Sequence, residues 1–215
     1  MLKEKTVKPL RRQLHASFCS ISPVGLIFTA TIVFATPSYA MHHLESESVV
    51  PEAEQISVAE RMIDAFYSFD PEKLAPLLEH APNSSERILY YQGWAKGGNY
   101  KVLDRSPCIT EDDKKIACAV TVQDDPVLAL KTGFNVTDTF HLTFIGEHII
   151  KVETSSNDQP VYYEAREWVE VNRPEVMSGP CKDRNAGGKT PAACARAMTK
   201  GYQEFYEAVV EPESK

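Results

Sequence analysis

The chain has 215 residues, 43% hydrophobic and 25% charged, with ten glycines and fourteen prolines. These proportions belong to a folded globular protein and exclude collagen-like and low-complexity chains. A formal charge of −7 argues against a nucleic-acid binder, whose affinity rests on clustered Lys and Arg.

Residues 1–40 read as a cleaved signal peptide. Lys3, Lys5, Lys8, Arg11 and Arg12 stand against one acid, Glu4, ahead of the almost wholly apolar run Gly25 to Thr36 (GLIFTATIVFAT), and PSYA follows. A basic region, a short apolar region and a small-residue cleavage site in that order mark export, with Ser38 and Ala40 at the small positions. The alternative is an uncleaved anchor, but the run has about 12 apolar residues where about 20 are needed to cross the hydrocarbon core, and Pro37 interrupts it. Cleavage leaves a chain that opens at Met41. Removing five bases and one acid from 23 and 30 leaves 18 and 29, a formal charge of −11. Such a protein is repelled by anionic membranes and nucleic acids and accepts neutral or cationic partners. The expected location is periplasmic or secreted, with no membrane contact in the mature form.

Cys19 leaves with the signal, and Cys108, Cys118, Cys181 and Cys194 remain. An even count in an exported chain implies disulfides. Three connectivities are possible; the local one, Cys108 with Cys118 and Cys181 with Cys194, is favoured because each pair brackets a turn-rich stretch. Each such loop contributes roughly 3 kcal/mol in the chain-entropy account. The rival is zinc, against which stand the lack of any Cys-x-x-Cys and the placing of the nearest histidines on other segments.

Residues 41–55 (MHHLESESVVPEAEQ) are acidic and Ser-containing with little apolar pattern, and are expected to form a flexible leader. After cleavage His43 lies third from a free amine, an arrangement that wraps Cu(II) or Ni(II) in a square-planar set of nitrogens. A single domain is expected over 56–210, with a tail over 211–215. Ser57 to Glu60 has the capping-box pattern of a helix start, followed at helical spacing by Val58, Met62, Ala65, Phe66 and Phe69. Asp70-Pro71 restarts the pattern as N-cap and first helical residue, with Leu74, Leu77 and Leu78 as the buried face. A third helix is expected from Ser84 or Ser85 to Gly97-Gly98.

From Tyr100 the period becomes two. YKVLDRSPC, KIACAVTVQ, VTDTFHLTFI and HIIKVETSS read as four strands, the last two joined by a two-residue turn at Gly146-Glu147. YYEAREWVEV and TPAACARAMTKGYQEFYEAVV then read as helices, the second capped by Thr190 with Pro191 at its first position. Helices clustered before an antiparallel meander indicate α+β.

The start VAERMIDAFYSFDPEKLAPLL, the paired strands DTFHLTFIGEHIIKVET and three helices ahead of a curved antiparallel sheet together resemble the nuclear-transport-factor-2-like, or SnoaL-like, cone fold. SPC…KIACAVTVQDD and EWVEVNRP…C…TPAACARA extend the likeness toward an exported bacterial branch, over roughly residues 56–210. The resemblance implies a conical pocket between the sheet and the N-terminal helices. Enzymes of that superfamily place an Asp or His base in it with Tyr or acid donors. Met62 stands where their isomerases carry a Tyr on the first helix, which weighs against an isomerase.

His141 alternates with Phe140 and Leu142, so it faces away from whichever side those two bury. On the concave side it would be a base near neutral pH with Asp104 or Tyr91 nearby; otherwise it is an exposed strand histidine. Tyr91 and Trp94, with Tyr90, offer an aromatic ligand wall, and Met62 and Phe66 would complete the lining; aromatics at helical spacing are also ordinary core. AGGKT at 186–190 lacks the first glycine and the leading strand of a phosphate loop. No cofactor is expected. The expected function is binding of a small apolar or amphipathic ligand or of a protein partner, with a homodimer as a possible form. The alternative is an isomerase, cyclase or dehydratase in which His141 or Asp104 removes a proton.

Overall fold

The computed structural model describes residues 52–112, 115–184 and 187–213, which belong to one compact unit. The expected signal peptide, the expected metal site at His43 and most of the expected leader lie outside the described residues.

Four helical segments precede, and one interrupts, an antiparallel sheet. Helix α1 (Glu52–Tyr67) buries Val58, Ala59, Met62, Ile63 and Phe66 on one face. It begins five residues before Ser57, so 52–55 are helix and not leader. The expected capping box is not a cap: Ser57 Oγ accepts from Arg61, and Glu60 turns outward to accept from Cys108 N at 2.7 Å and to pair with Arg105. A long helix fixed at mid-length by a strand does not need its cap there. Asp70 does cap α2 (Pro71–Leu74), accepting from Glu72 N at 3.0 Å, and a 3-10 turn, Ala75–Leu78, follows. Helix α3 (Pro82–Gly97) starts two to three residues before Ser84 and Ser85, where its start was expected. Ser84 instead accepts from Val152 N at 3.0 Å, tying the helix to the sheet. Buried Gln92 donates to the carbonyls of Ala65 and Phe66, at 2.9 and 3.1 Å, in the last turn of α1, where Ser68 Oγ and Phe69 N also donate to them.

The sheet has five strands, not four: β1 (Lys101–Arg105), β2 (Ile109–Asp112), β3 (Lys115–Gln123), β4 (Val136–Ile145) and β5 (His148–Ser156). β1 and β2 are two halves of one edge, both antiparallel to β3, and Ser106-Pro107 breaks them apart. A proline without an N–H is tolerated at an edge. The order β1-β3-β4-β5 is an antiparallel meander. Helix α4 (Asp125–Ala129), absent from the sequence reading, joins β3 to β4; Asp124 caps it by accepting from Val127 N at 2.8 Å. Gly146, at φ 59°, makes the β4–β5 turn.

Inward-facing Ile116, Cys118, Val120, Val122, Phe140, Leu142 and Phe144 meet α1 and α3 in one aromatic-rich core. Burying each of the larger side chains gains about 1.5–3 kcal/mol. The C-terminal helices α5 (Pro160–Asn172), α6 (Pro174–Ser178) and α7 (Pro191–Phe205) make a second core around Ala165, Val169, Met198 and Tyr202. Helical turns continue past α7 through Glu213, where a tail was expected from 211. Helices α3 and α7 pack almost backbone to backbone: a Cβ on Gly97 would lie 2.4 Å from the Ala192 main chain.

Both local disulfides form. Cys108–Cys118 crosses from the edge to β3 with Cα atoms 4.3 Å apart, and Cys181–Cys194, at 4.6 Å, closes the loop leading into α7. Thr190 precedes α7 as expected, but its hydroxyl donates to Pro180 O, at 2.7 Å, across that loop.

Candidate functional site

Among the described residues a cavity of about 430 Å³ opens where α3, the β4–β5 end of the sheet and the second core meet. That volume lies within the span of small-molecule sites, roughly 300–1,000 Å³. Its floor is polar. Asp138 and Tyr202, 4% and 0% exposed, lie there. Tyr91, Trp94, Tyr100 and Tyr162 form the walls, and Arg87, Arg166 and Arg184 stand around the opening, Arg87 exposed and the other two half-buried.

Asp138 reaches the floor because β4 alternates. Val136, Asp138, Phe140, Leu142 and Phe144 share the inner face, so the aspartate takes a position the pattern reserves for apolar side chains. Burial raises its carboxyl from 3.8 to about 6, the Tyr91 hydroxyl partly opposes this by hydrogen-bonding to it, and the nearby Asp158 adds to the rise. Asp138 Oδ2 nevertheless has no hydrogen-bond partner among the described residues. Asp124, next to the same region, is raised to about 7 by burial despite its cap to Val127, and repulsion from Asp138 contributes. Burial also pushes the phenols of Tyr91 and Tyr100 well above their ordinary value, so both remain neutral donors at physiological pH. The Trp94 indole N–H beside Tyr100 opposes part of that rise.

Three further buried polar atoms of the lining lack partners among the described residues, the Tyr90 and Tyr202 hydroxyls and Arg166 Nε. An unmade buried hydrogen bond costs about 1–3 kcal/mol. Four in one cavity lining indicate a space meant to be filled by water or by a ligand with polar groups.

Arg87 is held at the opening by the free edge of β5. It donates to Val152 O at 3.0 Å and to Thr154 Oγ1 at 3.3 Å. Arg184 comes from the Cys181–Cys194 loop and pairs with Glu170, which also lies 3.9 Å from Arg166 Nε. The guanidinium of Arg166 rests over the Tyr163 ring at 5.2 Å.

Of the residues singled out in the sequence, Tyr91 and Trp94 line this cavity. Met62 and Phe66 do not; both are fully buried in the first core, where Phe66 packs against Phe140 at 4.8 Å. His141 lies on the opposite face of β4, its Nδ1 3.0 Å from Glu111 and its Nε2 3.0 Å from Ser155 Oγ. Asp104 is exposed on β1, opposite Thr121. Neither therefore belongs with the tyrosines, because the inward positions of β4 are the even ones and His141 is odd. Asp138, the arginines and Tyr162 were missed. For Asp138 the signal was present, as the one charged residue on the apolar period of VTDTFHLTFI. For the arginines there was none, since three separate elements supply them.

No family model, curated protein or solved structure matches the chain. Among the described residues no helix is long and apolar enough to cross a membrane.

Proposed function

We propose that this is an exported protein of SnoaL-like cone type that binds a small amphipathic molecule in the cavity above Asp138. The observation that carries this reading is the set of unpartnered buried atoms in its lining, Tyr90 Oη, Asp138 Oδ2, Arg166 Nε and Tyr202 Oη. Unfilled polar groups beside flat aromatic walls suit a ligand with an apolar body and a few polar handles. Two disulfides fit an oxidising compartment, and export would follow from the N-terminal signal. Native mass spectrometry of the protein purified from that compartment tests the reading. The expected result is a chain starting at Met41 with two disulfides and a small-molecule adduct lost on activation. Repeated recovery of the bare chain, with no adduct on offering amphipathic ligands, would contradict it.

A second reading is proton-transfer catalysis, and one observation favours it: a carboxyl raised to about 6 inside a cavity next to neutral phenols. A base held near neutral pH with donors beside it suits removal of a proton next to a carbonyl. Asp138 would take the role first considered for His141 or Asp104.

A further inference from the structure

The polar groups of the cavity are not scattered. The three guanidinium groups of the lining keep solvent exposure, Arg87 most of all, whereas the Asp138 carboxyl is buried, and aromatic rings make up much of the rest. This arrangement narrows the ligand class, and the narrowing rests on the ligand-binding reading above. In a chain with a formal charge of −7, three arginines converge on one mouth. Arg87 is anchored only by a carbonyl and a hydroxyl, with no carboxylate paired to it among the described residues. Arg166 and Arg184 share the single carboxylate of Glu170. Asp158, the other acid at the opening, is engaged by the hydroxyls of Ser156 at 2.5 Å and Tyr163 at 3.4 Å. Three guanidinium groups against two carboxylates leave the mouth cationic, and guanidinium forks match carboxylates in two-point hydrogen bonding.

The floor has the reverse demand. Asp138 Oδ2 can be satisfied only by a donor. A purely apolar ligand would leave it and Arg166 Nε unpaired, a cation would meet the arginines on entry, and a diacid would place a second negative charge on Asp138. What remains is a molecule with an acid at one end and a hydroxyl or amino donor at the other. Trp94, Tyr91, Tyr100 and Tyr162 share the lining with them, and packing on such rings favours an aromatic body. We infer that the cavity takes a small hydroxylated or amino-substituted aromatic acid, its carboxylate at Arg87 and Arg166, its ring beside Trp94 and Tyr162, and its donor on Asp138.

Calorimetric titration of the oxidised, processed chain tests this with two sizes of probe. These are 4-hydroxyphenylacetate and 5-hydroxyindole-3-acetate, each beside its uncharged amide and the acid lacking the hydroxyl. The acid is expected to bind about tenfold or more tightly than its amide, and loss of the hydroxyl to weaken it several-fold. The Arg87→Gln/Arg166→Gln variant, shown to be folded by circular dichroism, should abolish the preference for acid over amide. Asp138→Asn should reduce the preference for the hydroxyl while leaving that for the acid. Amides binding as well as acids, or an acid preference that survives the arginine variant, would overturn the ligand class while leaving the pocket reading intact. Absence of heat from every probe at both sizes would count against the pocket reading itself and the inference with it.

Discussion

Asp138 and His141 are three residues apart on β4 and have opposite fates. His141, on the outer face, has both ring nitrogens engaged, by Glu111 and Ser155. Asp138, on the inner face, is buried among tyrosines with one oxygen unpaired. The first is a finished piece of structure, its polar groups satisfied within the fold. The second costs stability that the fold alone does not recover, and that debt is the mark of a site. A strand can carry both because successive side chains alternate faces, so one pattern places an apolar core, a polar ladder and a binding group together.

The largest effect that would sharpen this contrast comes from the disulfides. Removing Cys181–Cys194 by the double change Cys181→Ser/Cys194→Ser should cost about 3 kcal/mol in chemical denaturation, and it should also weaken ligand binding, because Arg184 lies in the closed loop. Removing Cys108–Cys118 should cost a similar amount without changing affinity, since no cavity residue lies in its loop.

Next in size is Asp138→Asn, which should stabilise the protein at pH 7 by on the order of 1–3 kcal/mol. The sign follows from its raised carboxyl. Folded Asp138 holds its proton up to about 6, whereas the unfolded chain releases it near 3.9. Between those values the folded state binds more protons, so stability is full below about 4 and falls as pH rises through about 6. Asp124, raised to about 7, extends the decline toward neutrality. Thermal melts at pH 4 and pH 7 check this: the gain from Asp138→Asn should be present at pH 7 and vanish at pH 4. The smallest effect belongs to His141→Ala, expected to cost under about 1 kcal/mol as a partly exposed polar contact, with ligand affinity unchanged. A large loss of binding in that variant would erase the distinction between the two faces.

Much of the frame was legible because its signals are local. The alternation in KIACAVTVQ, VTDTFHLTFI and HIIKVETSS bounds β3, β4 and β5 to the residue, and Asp70-Pro71 starts α2 where capping chemistry requires. The cysteine spacing gave the pairing. The failures were places where tertiary contacts took over a local group. Glu60 left its box for Arg105 and Cys108, Ser84 lies inside α3 with its hydroxyl on Val152, and α4 is too short to show a period. The candidate base fell on the wrong face because a histidine invites chemical attention, while the aspartate two positions before Phe140 was the residue out of keeping with its own pattern.

The most direct measurement is a carbon-13 NMR titration of the Asp138 carboxyl in the ligand-free protein, assigned with Asp138→Asn. A midpoint near 6, moving downward when an aromatic acid carrying a donor occupies the cavity, is the expected result, because a donor on Oδ2 favours the ionised form. A midpoint in the ordinary aspartate range of about 4, unmoved by any such acid, would mean that the carboxyl is already solvated or paired, and would contradict the account of an unfilled site on the inner face of β4.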